Sequence, residues 1–174
     1  MEGFTRERIE LKFTIDGKVK AKQSTRFTFK GFKYTNQDVV DYANWVKLCF
    51  KQAYPDFNPN SLEGFNLSIG INTYFKMPTT FSKKKRYMAS VGLIRPTVKP
   101  DWDNIPKNIC DALNGIAYPD DKAIVTGYSS KYYSDKEYVT VNIIGEKWNE
   151  VRKESNVKVS DKPTKKKTTK RESN

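Results

Sequence analysis

The amino-acid sequence predicts an α+β fold: a small mixed β-sheet with two main helices packed on it, in a single domain. Three observations point there. Apolar residues recur at period two in several separate stretches, they switch to helical spacing in two others, and this patterning stops well before the C-terminus.

The elements follow in order. Ile9, Leu11, Phe13 and Ile15 alternate as a strand with one buried face. Residues 17–35 interleave cations with Phe27, Phe29, Phe32 and Tyr34, and read as a basic ribbon of two short strands. Residues 37–54 place Val39, Ala43, Val46, Phe50 and Ala53 on one helical face, with Asn36 as N-cap. Phe65, Leu67, Ile69 and Ile71 form the next strand. A shorter helix over residues 103–114 carries the stripe Ile105, Ile109, Ala112 and Leu113, and stops at Gly115. Two strands close the domain, residues 124–133 with Tyr128 and Tyr132 on one face, then Val139, Val141 and Ile143. The order is β(ββ)αβ–αββ, with a domain over residues 1–145. Residues 146–174 read as a basic, solvated, disordered tail.

Charge is unevenly placed. The 174 residues contain 32 Lys+Arg against 20 Asp+Glu, a net +12. Residues 17–35 hold six cations and residues 76–100 hold seven, with no acid in either segment. Two basic arms on a mildly acidic framework suit a polyanionic partner, most often nucleic acid. The chain has no histidine, which excludes Ser-His and Cys-His catalysis and histidine-held metals. Cys49 and Cys110 are too few and too far apart for a zinc knuckle or a disulfide framework. No apolar run approaches the ~20 residues that span a bilayer, and the N-terminus lacks a signal-peptide core. The expectation is a cytoplasmic protein with no membrane partner, whose chemistry rests on carboxylates, amines, hydroxyls and a hard metal ion.

The chemistry concentrates in residues 99–122, KPDWDNIPKNICDALNGIAYPDDK. Asp101 and Asp103 leave an extended segment on one side of the chain. Asp103 stands at the N-cap position, where one oxygen can accept a helix N–H and the other remains free for a cation. Pro106 is tolerated in the first turn. Lys107 lies one turn on, ~6 Å along the axis, while Asp111 at ~12 Å is too far to share an ion with Asp103. Asp111 suits a pairing with Lys107 or a contact to another element. Asp120 and Asp121 follow the helix stop and can fold back beside the first acid pair; spacing does not choose between them. Three carboxylates and a lysine around a hard cation make a phosphodiester hydrolysis site.

The string Pro-Asp-Trp-Asp-Asn-x-x-Lys-x-x-x-Asp-Ala-Leu-Asn-Gly from Pro100, followed by Asp120-Asp121-Lys-Ala-Ile-Val, resembles the signature of the RusA family of Holliday junction resolvases. The opening segment from Gly17 is similar to that family's basic opening segment, with Ala21, Ser24 and Thr25 where the family often has Pro or Arg. The resemblance covers most of residues 9–145. It implies a Mg²⁺-dependent endodeoxyribonuclease, with Mn²⁺ as a substitute, that works as a homodimer on four-way DNA junctions and needs no small-molecule cofactor. It makes Asp101 and Asp103 metal-binding catalytic acids, Asp121 the third acid with Asp120 beside it, and Lys107 an accessory catalytic residue. It also implies a bacterial, phage or prophage setting, with recombination or repair as the context.

DNA-binding candidates are Lys20, Lys22, Arg26 and Lys33 in the first arm, and Lys83, Lys84, Lys85 and Arg86 in the second. Phe81 and Tyr87 flank the second cluster, read as a loop with aromatics to stack or wedge. Trp45, Trp102, Cys49 and Cys110 read as packing residues. Two alternatives stand beside the resolvase: a non-catalytic, structure-selective nucleic-acid-binding protein, and a flap or branched-DNA nuclease of the same fold.

Overall fold

The computed structural model describes residues 3–20, 37–150 and the backbone of 26–27 and 33–34. Four strands form a mixed sheet in the order β1-β6-β4-β5, with β1 Phe4–Asp16, β4 Asn66–Lys76, β5 Ile124–Ser134 and β6 Tyr138–Glu150. A separate two-stranded ribbon pairs β2 Arg26–Phe27 with β3 Lys33–Tyr34. The helices are α1 Gln37–Ala53, α2 Lys83–Ser90 and α3 Asn104–Leu113. The α+β class and the mixed sheet agree with the alternation. The sequence shows two of these helices and misses α2. Lys83–Ser90 is built from good helix formers and has Ser82 as its N-cap, whose Oγ accepts from the Lys85 N–H at 3.3 Å. Its weak apolar periodicity makes it look like a charged loop.

β6 runs antiparallel to both β1 and β4, while β5 lies parallel to β4 and reaches it through α2 and α3. The pairing of β1 with β6 extends from Asp16↔Tyr138 to Phe4↔Glu150. Residues 146–150 therefore belong to the sheet, not to the tail as the sequence suggests. Residues 151–174, Lys22 and the Asn36 cap lie outside the described residues.

One face of the sheet is dry. Leu11, Phe13 and Ile15 meet Val139, Val141 and Ile143 and then Leu67, Ile69 and Ile71, and all share a core with Val46 and Phe50 of α1 and Ile105, Ile109 and Leu113 of α3. This is what period-two strands and 3.6-period helices produce when their apolar sides are pressed together. Ala53, expected on that side of α1, is exposed. The Phe13 and Phe50 rings meet edge to face at 5.3 Å. Gly115 follows α3 with φ of 71°, the left-handed stop that a glycine tolerates best.

Both outer strands have their backbone groups engaged from outside the sheet. On β1, the Tyr54 hydroxyl accepts from the Lys12 N–H at 2.7 Å and donates to the Lys12 carbonyl at 3.0 Å. The Trp45 indole donates to the Asp16 carbonyl at 2.8 Å. On β5, the Trp102 indole donates to the Ser129 carbonyl at 2.7 Å. Such partners cover sheet edges that would otherwise invite another strand.

Candidate functional site

The acid-bearing loop before α3 is clamped to β5. Lys131 sits in register with Thr73, on the face of the sheet that elsewhere carries the core, and donates from Nζ to the carbonyls of Val98 and Pro100, the latter at 2.9 Å. Burial pushes this ammonium below the ordinary lysine value, and the Asp101 carboxylate opposes that shift. Trp102 fixes the same loop from its next residues. Its indole, read from sequence as packing, is instead 56% exposed between Asp101 and Asp103 and held by the bond to Ser129. The Lys131 clamp has a signal in the sequence: a lone lysine at a core-facing position of an alternating strand.

With the loop anchored by its neighbours, the two acids themselves face outward. Asp101 is exposed, and its Oδ2 meets Lys99 Nζ at 2.6 Å. Asp103 occupies the N-cap position of α3 in a helical conformation, φ −69° and ψ −31°, and its side chain makes no capping hydrogen bond. The expected division of its oxygens between a helix N–H and a cation is thus corrected. In a helical conformation the side chain does not turn back onto its own N–H groups, since a capping residue normally has extended dihedrals. Lys107 is exposed one turn further, its N–H bonded to the Asp103 carbonyl at 3.4 Å. Asn108, on the buried side of that turn, donates to the Lys20 carbonyl at 2.8 Å and so ties the first basic arm to α3.

The Asp120-Asp121 doublet divides in two. Asp120 accepts from the Lys122 N–H at 3.0 Å and pairs with Lys122 Nζ at 3.1 Å, and these contacts hold its carboxyl below the ordinary value. It is the cap of the short 3₁₀ turn Asp121–Ala123. Asp121 is exposed and lies within electrostatic reach of Cys110 and Tyr118, as does Asp111. Burial pushes the Cys110 thiol up to about 11; a hydrogen bond with Tyr118 opposes the rise, and the two acids add to it. Among the described residues, no three acidic or cysteine side chains are gathered closely enough to hold an ion by themselves.

The second basic cluster forms the exposed start of α2. Lys83, Lys84 and Lys85 are exposed, Lys85 Nζ stands 4.3 Å from the Phe81 ring centroid, and Arg86 pairs with Asp135 at 3.7 Å. Phe81 packs edge to face on Tyr133 at 5.3 Å, and Tyr87 is 68% exposed. These cations sit at a helix N-terminus, where the helix dipole disfavours positive charge by ~0.3–1 kcal/mol each. A bound anion at that point would satisfy both dipole and lysines. In the first arm, Lys20 Nζ lies 3.7 Å from Asp38, and Arg26 and Lys33 belong to the ribbon. No described helix is long and apolar enough to cross a membrane.

A carboxylate loop anchored to β5, a lysine-headed helix and a strongly basic chain are features that suit a nucleic-acid-processing domain of α+β class. The comparisons with known proteins agree. The family model for endodeoxyribonuclease RusA matches residues 16–144, and the chain belongs to that family, the Holliday junction resolvases. It is also 34% identical over 138 residues to YqaN, an uncharacterized protein of Bacillus subtilis (strain 168), a match covering 76% of this chain and 94% of that protein.

Proposed function

We propose that this protein is a divalent-metal-dependent endonuclease that resolves four-way DNA junctions by paired hydrolysis, acting as a homodimer. The observation that carries the reading is the 98–103 loop, with Asp101 and Asp103 directed outward and the backbone beneath them held by Lys131 and Trp102. The donor set fits a hard divalent ion, because every ligand on offer is a carboxylate oxygen. The exposed Asp101 and Asp103 suit Mg²⁺, which is usually bound through one or two carboxylates plus waters and substrate phosphates. Asp101 and Asp103 would hold the ion, with Asp121 as third acid; Asp120, committed to its cap, is the weaker candidate of the doublet. When bound, the ion would polarise the phosphate and lower the pKa of a coordinated water.

The chain's own groups supply the remainder. Lys99 balances Asp101 and would release it to enter the site. Lys107, exposed one turn from Asp103, offsets charge developing on the phosphate oxygens. The lysines of α2 and the cations of the first arm contact phosphates and set the DNA in register. A twofold pair of sites delivers two symmetry-related cuts, the reason for a dimer.

The test is cleavage of a synthetic four-way junction in Mg²⁺. Asp103→Asn is expected to lower the cleavage rate by roughly 100-fold or more while junction binding persists. Binding without cleavage by the wild type in Mg²⁺ or Mn²⁺ would indicate a structure-selective binding protein. Faster cutting of flaps than of junctions would indicate the branched-DNA nuclease.

A further inference from the structure

The sheet has a second face, and its two halves differ in chemistry. Toward β1 most of the charged positions pair with one another. Arg6 meets Glu146 at 3.6 Å, and Glu10 meets Lys12 at 2.8 Å and Arg8 at 3.7 Å. Lys12 holds the Glu10 carboxyl below its ordinary value. Toward β5 the charges disappear and aromatic rings replace them.

Strand register arranges this second half in three rows. In the first, Asn142, Gly70 and Tyr128 are direct neighbours across β6, β4 and β5; in the second, Thr140, Asn72 and Ser130; in the third, Tyr138, Tyr74 and Tyr132. The Tyr128 ring lies across Gly70: a Cβ built on that glycine would stand 2.3 Å from the ring's Cζ and hydroxyl oxygen. Tyr128 itself is 55% exposed. In the third row Tyr74 is stacked on Tyr138 at 4.3 Å and on Tyr132 at 5.4 Å, and the Arg95 guanidinium stands over the Tyr132 ring at 3.6 Å from its centroid. The outer rows are four residues apart along the strands, roughly 13 Å. Between them lies a floor of hydroxyl and amide groups. None of the positions in these rows is acidic, and the next position along β4 is Lys76.

We infer that this face binds a single-stranded nucleic-acid segment, with unpaired bases stacking on Tyr128 and their edges meeting the Thr140, Asn72 and Ser130 row. The inference rests on the nucleic-acid reading above and deepens it by naming unpaired bases as a second feature the protein recognises. Exposed aromatics on a sheet stack bases irrespective of sequence, and cations at the margin hold the backbone. Arg95 and Lys76 supply that margin, and β5 carries the tyrosine face on one side and the acid loop on its edge. A second copy of this chain is a poorer occupant. Glu10 and Glu146 on the face are already matched by Arg6, Arg8 and Lys12, so a facing copy would bring Arg95 and Lys76 with only Asp16 and Glu150, at the ends of β1 and β6, to meet them.

The experiment uses the full chain without added metal, so that no cutting occurs. Affinity for a labelled oligothymidylate and for a duplex of mixed sequence is read by fluorescence anisotropy. Tyr128→Ala is expected to weaken oligothymidylate binding about 10-fold while leaving duplex binding within about twofold. Tyr128→Phe should retain the affinity. Gly70→Ala, which keeps the tyrosine but displaces its ring, should show the loss again. Equal losses on both DNAs, or no loss from either Tyr128→Ala or Gly70→Ala, would overturn the inference. So would a shift from dimer to monomer in sedimentation with oligothymidylate binding unchanged, which would assign the face to a second copy. Junction cleavage in Mg²⁺ by the wild-type preparation is scored separately, so failure of the nuclease reading is distinguishable from failure of this one.

Discussion

The two edges of the sheet make an instructive pair. On β1, Trp45 of α1 and Tyr54, the residue just after that helix, occupy backbone groups of Asp16 and Lys12. On β5, Trp102 and Lys131 do related work in a different arrangement, because what they hold is a loop of acids and not the end of a helix. The first edge is closed by a long helix that is itself part of the core. The second is closed by residues whose neighbours are directed outward. Covering an edge protects a fold in either case. Only at β5 does the covering segment carry the candidate acids Asp101 and Asp103, and there the anchoring is done by other groups.

That difference can be broken experimentally. Among the residues that cover the two edges, the largest effect is expected at Lys131. Lys131→Met removes the donor to two loop carbonyls and should lower the junction-cleavage rate by about 10- to 100-fold, since small displacements of catalytic groups are costly. Retained circular dichroism and junction affinity would show that positioning, not folding, was lost; Lys131→Arg should recover part of the rate. The converse belongs to β1. Tyr54→Phe should destabilise the protein by about 1 kcal/mol in urea unfolding and leave the cleavage rate unchanged. A rate loss from Tyr54→Phe equal to that from Lys131→Met would erase the distinction between the edges. The smallest effect concerns α2, beside β5. Lys84→Glu should reduce the salt dependence of DNA binding by about one ion's slope, yet stabilise the helix by ~0.3–1 kcal/mol through its dipole. A matched salt titration and melting curve would read both signs.

The acid doublets hold a related lesson. Asp101 and Asp103 and the pair Asp120-Asp121 look alike on paper, and either could be a turn or a ligand set. In the fold, Asp120 is committed to capping its own turn, whereas Asp103 sits at a cap position and makes no cap. Residue type and spacing find such acids but not their hydrogen-bond partners, because the partner is chosen by local dihedrals. Trp102 shows the same limit from another side. A tryptophan between two polar residues suggests burial, and it is the edge carbonyl of Ser129 that holds the ring at the surface.

Alone, the sequence determined the local elements and the chemistry available: strands at period two, two amphipathic helices, a carboxylate motif at the start of the second, and two basic arms without acids. These are near-neighbour properties, written in side-chain spacing and charge. Tertiary structure decided what meets what: β1 with β6 from opposite ends of the chain, Lys131 under the acid loop, and three tyrosines of separate strands in one stack. Strand order and register depend on how the apolar faces pack together, and distant partners of that kind leave no periodicity in either segment.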